Sequence, residues 1–353
     1  MAIKSFFSKV LNWFKKYPVI VSLAIIVPSL IYTGRYAFTT EYFYFNTEFQ
    51  GEKMPVKPQD FKITGIKPLG KIVQVASMFS YQGAACYQNY YAICADNFET
   101  ILIYDANTMK VEHIIKTNMS TTLWHCNTIF FGPYFFNTSD KFPLLYVSME
   151  NANVHSTMVF RIHARGGEYY IEHIQQIELY FENPEDTIYF PNSYYDFDSG
   201  YIYYGGYTQN SYMRSPENKI RYYTFLLPDY RSYNEYLLTG ESLDTFELPS
   251  ETATQGGFIS HNHLYEAFSF GFRYDQNPLK TPALRVVDLV EHKIIYEITD
   301  LGAEFGVYEE FEHLAISDSG RLLSVGNPFN LYEFEYEHVD YPDEDVEDVD
   351  EDI

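Results

Sequence analysis

Cysteine is scarce in this sequence, which contains only Cys86, Cys94 and Cys126 among its 353 residues. An odd and small number of cysteines excludes the dense disulfide framework of small secreted domains. A turn at residues 88–89 would pair Cys86 with Tyr91 rather than with Cys94, so the two nearest cysteines do not face each other. The sequence therefore predicts free, buried thiols.

Basic residues are also few, because 24 Lys and Arg stand against 48 Asp and Glu, a net charge of -24. This balance argues against nucleic acid as a partner, since a phosphate backbone requires clustered positive charge. The acid is concentrated in residues 338–353, which we expect to be a disordered, solvated tail. The spacing of its carboxylates does not match an EF-hand loop, so no metal site is predicted there.

One long uncharged run occurs near the N-terminus, at residues 18–34, and it is just long enough to cross a bilayer. Lysines precede this run and only Arg35 follows it closely, which predicts a cytoplasmic basic segment at residues 1–17. A cleaved signal peptide is the alternative, but it would have a shorter apolar core and a small-residue cleavage site. The sequence thus predicts a single-pass membrane anchor and a periplasmic or extracellular main domain.

Aromatic residues are abundant, with 35 Tyr and 29 Phe, and these residues favour pleated, half-buried surfaces. Residues 35–70 contain an aromatic stretch followed by prolines and glycines, which are typical of a stalk or linker. From Lys71 onward, short alternating runs recur every few residues, as in a sandwich, barrel or propeller. The composition and the pattern together predict an all-β domain over residues 71–337.

An internal repeat decides among these all-β folds. Four strand-like runs follow Gln82 ("AACY", "YAICAD", "TILIYDAN", "KVEHIIKT"), and four similar runs follow Gln255 ("GFIS", "LYEAFSF", "ALRVVDLVEH", "KIIYEITD"). Weaker copies lie at residues 125–179 and 194–249, and a three-strand copy at residues 311–336. If the strand missing from the last copy comes from residues 71–77, the sequence predicts a five-bladed β-propeller closed by an N-terminal strand. Six blades remain the alternative if further strands are hidden.

The innermost strand of each predicted blade begins with a polar or aromatic group, and a propeller gathers these beginnings at one end of its channel. The residues so brought together are Gln82, His125, Asp196, Gln255 and Glu312. Convergent polar groups at a concave mouth predict a ligand-binding site, although they could merely bond channel water. Tyr194 and Tyr195 would lie beside them as flat contact surfaces, unless they pack between blades. A metal site that adds His261 or His263 is not favoured, because no close-spaced ligand pair supports it.

The stretches "ATQGGFISHNHLYEAFSFG", "LRVVDLVEHKII" and "FEHLAISDSGRLL" follow one another in a recognisable order. In this order they resemble the glutamine cyclotransferase family, the five-bladed propellers of plant-type glutaminyl cyclases, over residues 71–336. The chain also resembles uncharacterised cell-surface propeller proteins of bacteria. The family resemblance implies that Gln82 and Gln255 match the family's glutamine. It also implies that Glu312 matches the catalytic glutamate, which shuttles a proton while an N-terminal glutamine cyclises.

The sequence departs from that family at the start of the second blade. Where the family has a glutamate, "LWHCNTI" supplies His125 and Asn127, and Trp124 is the only indole in the predicted propeller. We therefore favour a binding module without a cofactor, whose partner is a small molecule, peptide, glycan or protein loop. The alternative is a glutaminyl cyclotransferase-type enzyme that uses Glu312.

Overall fold

The computed structural model describes residues 49–75, 80–118, 125–151, 154–209, 218–231, 235–239, 241–249, 254–268, 282–327 and 329–337. The predicted cytoplasmic segment, the predicted anchor at residues 18–34 and the predicted acidic tail lie outside these ranges. Within the described ranges, no helix has the length and apolar character needed to cross a bilayer. The described residues other than 137–139 belong to one compact unit.

The described strands form five sheets, each predominantly antiparallel. The chain first forms β1 (Ile63–Lys71), which belongs to the last sheet. Blade 1 then contains, from the channel outward, β2 (Tyr81–Tyr87), β3 (Tyr90–Ala95), β4 (Thr100–Asp105) and β5 (Lys110–Lys116). Blade 2 contains β6 (His125–Phe131), β7 (Leu145–Asn151), β8 (Val154–Arg165) and β9 (Glu168–Leu179).

The other three blades repeat this plan. Blade 3 contains β10 (Tyr189–Asp196), β11 (Tyr201–Tyr207), β12 (Lys219–Leu226) and, after the detour of β13 (Glu235–Leu238), β14 (Asp244–Pro249). Blade 4 contains β15 (Thr254–Ser260), β16 (His263–Phe268), β17 (Ala283–Asp288) and β18 (Lys293–Ile298). Blade 5 contains β19 (Ala315–Ile316), β20 (Leu322–Gly326), β21 (Asn330–Tyr336) and β1. The predicted five-bladed propeller is therefore confirmed.

Helical structure in the described part of the chain is limited to short connectors. Single 3-10 turns occur at Pro58–Asp60 and Pro184–Asp186. The helix α1 (Leu301–Phe305) begins where the Asp300 side chain accepts a hydrogen bond from the Ala303 amide at 2.7 Å. These connectors contribute little to the core, which is built from the faces of the sheets.

Burial differs between the middle and the outer strands of a blade. In blade 1 the residues of β4 are buried except the last, whereas β5 alternates between exposed and less exposed positions. A strand packed between two neighbouring blades is covered on both faces and therefore reads as a continuous apolar run. An outer strand meets solvent on one side and keeps the alternation of a half-buried sheet.

The ring is closed by β1, which pairs antiparallel with β21 from Ile63 opposite Tyr336 to Lys71 opposite Asn330. Closure by an N-terminal strand was predicted, but the segment is Ile63–Lys71 rather than residues 71–77. The predicted boundary between linker and propeller at residue 71 is thus too late. The prolines and glycines of this segment indicated a linker, yet an outermost strand tolerates Pro68 because its outer amides need no ladder partner.

Blade 2 carries a fifth strand. This strand accounts for the extra residues in the copy at residues 194–249 without a sixth blade. The strand β13 leaves blade 3 and pairs in parallel with β9, with Glu235 opposite Gln176 and Leu238 opposite Leu179. The insertion therefore extends an existing sheet. The six-bladed alternative is wrong for this reason.

A disulfide joins Cys94 on β3 to Cys126 on β6, with 6.8 Å between their Cα atoms. It connects blades 1 and 2 at a point where the Cys126 amide donates to the Asp96 carbonyl at 2.7 Å. The prediction of free thiols is correct for the buried Cys86, which lies opposite Tyr91 as expected. It is wrong for the other two cysteines, because only their neighbours within one hairpin were considered and the partner lies in the next blade.

Candidate functional site

The inner strands β2, β6, β10, β15 and β19 line a central channel. We call the end where they begin the upper mouth and the end where they finish the lower mouth. Just below the upper mouth the strands nearly touch. A Cβ atom on Gly83 would lie 2.9 Å from the Asn127 carbonyl oxygen, and one on Gly256 would lie 3.2 Å from both the Thr128 Cγ2 atom and the Glu312 carbonyl oxygen. Glycine is required at both positions because only a residue without Cβ permits this approach.

Five side chains lie immediately above this constriction, one from the start of each blade's inner segment. We call them the polar ring: Gln82, Asn127, Asn192, Gln255 and Glu312. The Asn127 amide donates to Asn192 Oδ1 at 2.5 Å, and Asn192 Nδ2 donates to the Gln255 carbonyl at 2.5 Å. Blades 1 and 5 meet at the same level, where His313 Nδ1 lies 3.1 Å from the Gln82 carbonyl. Neighbouring blades are thus linked through the ring.

These contacts fix which way the ring amides point. The Gln255 carbonyl can only accept a hydrogen bond, so the NH₂ group of Asn192 must face it. Asn192 Oδ1 then faces Asn127 and accepts from its NH₂ group. The oxygen of Asn127 is left over, and it is buried without a hydrogen-bond partner.

Three members of the polar ring have buried acceptor atoms without a hydrogen-bond partner among the described residues. Gln82 Oε1, Asn127 Oδ1 and both carboxylate oxygens of Glu312 are buried, and none of them has a partner at hydrogen-bond distance in the described part of the chain. All of these atoms are acceptors. Buried polar groups in native structures are nearly always bonded, so a cluster of unpartnered acceptors calls for a partner from outside.

The charge state of Glu312 follows from its surroundings. Burial, reinforced by the negative charges of Glu310 and Asp96, raises the pKa of Glu312 well above its usual range. The protonated acid is therefore favoured while the mouth holds no positive charge. His313 is fully buried, and burial lowers its pKa to about 3, so it is a neutral group that bonds the Tyr91 hydroxyl at 2.8 Å.

The rim above the polar ring is acidic. His125 forms an ion pair with Asp96, and both side chains are partly exposed. Glu310 accepts from Gln255 Nε2 at 3.1 Å and from Asn327 Nδ2 at 3.3 Å. The predicted residues Gln82, Gln255 and Glu312 thus lie together in the ring, and His125 lies on the rim beside them.

Asp196 was predicted to lie at the same mouth and does not. It ends β10 near the lower mouth, where it accepts from the Asp198 amide at 3.1 Å and from Ser199 Oγ at 2.6 Å. In blade 3 the residue that takes the place of Asp196 in the polar ring is Asn192. The strand β10 begins at Tyr189, and its pairing with β11 is irregular between Tyr189 and Asn192. The repeat was therefore aligned four residues too late in this blade.

Tyr194 and Tyr195 are likewise away from the polar ring. The Tyr194 hydroxyl is buried between blades 3 and 4 and donates to Glu266 at 2.8 Å. Tyr195 packs in the lower channel against Phe197, with 4.8 Å between the ring centroids. The prediction that these tyrosines flank Gln255 and Glu312 is wrong, and the alternative of packing between blades holds for Tyr194.

The lower mouth is covered by residues 49–56, which we call the strap. Phe49 packs on Tyr87 and Phe197, with centroid distances of 4.9 and 5.1 Å. Lys53 Nζ lies 2.9 Å from Asp198 Oδ1, and the Met54 amide donates to Ser260 Oγ at 2.9 Å. The strap therefore contacts residues at the ends of three inner strands and closes the channel from below.

Above the strap lies a largely apolar cavity of about 50 Å³, lined by residues such as Ala84, Ile129 and Leu314. Drug-sized ligands occupy roughly 300–1,000 Å³, so this cavity is too small for one and holds a few water molecules at most. Glu52 also lines it and accepts from the Gln88 amide at 2.7 Å. Burial raises the pKa of Glu52 to about 7.

No group of three or more His, Cys, Asp or Glu suited to a metal ion occurs in the part of the chain that the structure describes. His261 and His263 flank the turn between β15 and β16, at the lower mouth. His261 lies 2.9 Å from Ser260 Oγ, and His263 lies 3.6 Å from Asp288. They are therefore not near Glu312 or His125.

Sequence reasoning missed several residues of the site, chiefly Asn192, Asp96 and Glu310. A signal for Asn192 was present, because Asn127-Thr128 and Asn192-Ser193 both place an amide before a hydroxyl residue. In the structure Thr128 and Ser193 contact each other across the two blades. Asp96 and Glu310 lie in loops between strands, where no repeat pattern marks them.

Comparison with known proteins adds similarity at the level of the fold. No family model and no curated protein matches the sequence. Among solved structures, glutaminyl cyclase from Myxococcus xanthus is similar at 9% identity, with 79% of this chain and 97% of that chain covered and a TM-score of 0.44. The PQQ-bound aldose sugar dehydrogenase from Streptomyces coelicolor is similar at 10% identity, with coverages of 80% and 100% and a TM-score of 0.46.

Proposed function

We propose that this five-bladed propeller is a membrane-anchored, extracytoplasmic binding module that holds its ligand or partner in the upper mouth. The observation that carries the proposal is the set of buried, unpartnered acceptors on Gln82, Asn127 and Glu312. Leaving such groups unpaired costs about 1–3 kcal/mol each, which a ligand that bonds them would recover. The lower mouth is covered by the strap, which pairs Met54 with Ser260 and Lys53 with Asp198.

Two features support the proposed location. The disulfide between Cys94 and Cys126 is of the kind that persists in oxidising compartments outside the cytoplasm. The uncharged run at residues 18–34, with lysines before it, is the kind of segment that anchors an exported domain.

The location is testable on intact cells. Protease added to spheroplasts should degrade the propeller and leave a short anchored fragment. In parallel, thiol alkylation before and after reduction should show that Cys94 and Cys126 are oxidised in the cell. A fully protected propeller with both thiols reduced would refute an extracytoplasmic domain.

The binding role is tested with the full chain in detergent micelles and a panel of oligosaccharides and short peptides. A ligand of the upper mouth should raise the melting temperature of the wild type and of the lower-mouth control Asp198→Asn. The same ligand should leave the melting temperature of the Asn127→Leu variant unchanged. A ligand that loses its effect in the lower-mouth variant instead would overturn the assignment.

A second candidate is a glutaminyl cyclotransferase-type enzyme, and the raised pKa of Glu312 favours it. In that reaction the α-amino nitrogen of an N-terminal glutamine attacks the γ-carboxamide carbon, a ring closes and ammonia leaves. A carboxyl group with a pKa near the working pH can take the amine proton and return it to the leaving group. Loss of ammonia from a glutamine-leading peptide, measured by mass and abolished in Glu312→Gln, would establish this activity over simple binding.

A further inference from the structure

The polar ring specifies the chemistry of its occupant. Its unpartnered atoms are Gln82 Oε1, Asn127 Oδ1 and the two Glu312 oxygens, and all four are acceptors once Glu312 is ionised. The amide nitrogens of the two residues each already donate one hydrogen bond, that of Asn127 to Asn192 Oδ1 and that of Gln82 to Ser80 Oγ at 3.4 Å. An occupant that satisfies this set must offer hydrogen-bond donors and need not accept.

On the basis of the proposed function, we propose that the polar ring is a receptor for a protonated primary amine. An ammonium group has three N–H donors and no acceptor. Gln82, Asn127 and Glu312 supply acceptors from three different blades, each near the start of its blade's inner segment. One positive charge meets one carboxylate, so the pair is neutral overall.

A divalent metal ion fits this arrangement less well. Calcium takes six to eight oxygen ligands and magnesium requires a near-octahedral set, often completed by a second carboxylate. Glu312 is the only carboxylate of the polar ring. Asp96 and Glu310 lie nearby on the rim, but Glu310 already accepts from two amide groups and Asp96 pairs with His125.

The rim favours entry of a cation. The negative charge of Glu310, and to a smaller extent that of Asp96, which His125 partly offsets, acts on Glu312 and therefore also attracts a positive group that reaches the same depth. Of the histidines here, His125 is paired with Asp96, and the buried His313 is neutral. The constriction at Gly83 and Gly256 lies just below, so the ammonium group stops at the ring.

Binding of the amine is coupled to a proton. Glu312 is buried without a partner and favours its protonated form when the ring is empty, whereas an ammonium group favours the carboxylate. Occupation therefore releases a proton from Glu312. Affinity should rise with pH until Glu312 is ionised in the free protein, and fall again where the amine loses its own proton.

The first experiment uses n-butylammonium as the probe, with the full chain in detergent micelles and calorimetry in two buffers of different ionisation enthalpy. We expect saturable binding with net proton release. Butyltrimethylammonium carries the same charge without N–H donors and should bind at least tenfold more weakly. Equal binding of the two ions to the wild-type protein would overturn the inference without recourse to any variant.

Variants then locate the effect. Glu312→Gln should weaken butylammonium binding at least tenfold and abolish proton release, whereas the lower-mouth variant Lys53→Met should bind as the wild type does. Calcium chloride serves as a further arm. If calcium stabilises the wild type and the amine does not, the ring is a metal site and the inference fails.

Peptides separate the possible sources of the amine. A lysine peptide with an acetylated N-terminus and a peptide with a free N-terminus but acetylated lysine test the side chain and the terminus in turn. Binding of at least one arm, lost in the doubly acetylated peptide, supports an amine receptor. A peptide that binds the upper mouth equally well when fully acetylated would refute the amine inference and leave the proposed binding role intact.

Discussion

Glu266 and Glu312 are both buried carboxylates, and their surroundings are opposite. Glu266 lies between blades 3 and 4, where Arg285 Nε donates to it at 2.9 Å and the hydroxyls of Tyr194 and Tyr222 donate at 2.8 to 3.0 Å. Glu312 lies at the upper mouth, where neither carboxylate oxygen has a partner at hydrogen-bond distance among the described residues and only the Asn327 side chain opposes the rise of its pKa. The first has a counter-charge and several donors among the described residues, whereas the second has no counter-charge and at most the weak contribution of Asn327.

The difference separates a structural carboxylate from a candidate functional one. A buried charge is tolerated when a counter-charge and hydrogen bonds compensate its desolvation, as Arg285 and two tyrosines do for Glu266. Glu312 lacks such compensation, so its burial is a cost that the fold alone does not explain. Each prediction below tests this contrast.

Glu266→Gln should have the largest effect, a loss of about 3–5 kcal/mol in the free energy of unfolding. The substitution leaves the charge of Arg285 buried without a counter-charge. Urea denaturation of the variant measures the loss. The double variant Glu266→Gln/Arg285→Met removes both charges and should recover part of the stability, and a single variant within about 1 kcal/mol of wild type would contradict the structural role.

Glu312→Gln should act in the opposite direction and by about 1–3 kcal/mol, because it removes the ability of an unpartnered buried group to ionise. The folded protein raises the pKa of Glu312, so wild-type stability is full below the usual carboxyl pKa and declines as pH rises through the raised value. The variant lacks this decline. Melting temperatures should therefore coincide near pH 4 and diverge in favour of the variant by pH 8, and a constant difference across this range would contradict the sign.

Tyr194→Phe should cost about 1 kcal/mol, because it removes one of several donors to Glu266. Tyr222→Phe should cost more, since the Tyr222 hydroxyl contacts both carboxylate oxygens and accepts from Arg285 Nη2 at 2.7 Å. Thermal denaturation ranks the two variants. Neither should change binding of butylammonium at the upper mouth, and a change there would show that the two carboxylates are not independent.

Glu52→Gln should have the smallest effect, less than about 1 kcal/mol, because Glu52 is only partly buried and solvent screens it. Its pKa is raised to about 7, so its contribution to stability is present at low pH and is lost as pH rises through 7. Hydrogen exchange at the Gln88 amide, corrected for intrinsic rates, should show weaker protection at pH 8 in wild type than in the variant. Equal protection in the two proteins would indicate that Glu52 does not hold the strap in a pH-dependent way.

The sequence predicted the number of blades because each blade repeats an alternation of apolar residues that only a packed sheet explains. It predicted Gln82, Gln255 and Glu312 as neighbours because each precedes the same kind of strand. It misplaced Asp196 because the run of tyrosines around β10 satisfies the alternation in more than one register. The disulfide between Cys94 and Cys126 was missed for a different reason, since the distance between neighbouring blades is not contained in the pattern of either one.

Because β1 pairs with β21, the described propeller is a closed ring. The same five blades could therefore form from a chain that begins at a different position in the ring. The Glu337 amide donates to the Lys62 carbonyl at 3.0 Å, so a short linker could join these positions without disturbing the ladder. A circular permutant opened in residues 72–75 would keep every blade and carry its new ends at the upper mouth. Such a permutant lacks the strap, so a membrane anchor fused at its new ends would hold the polar ring toward the lipid and leave an uncovered lower mouth facing away from it.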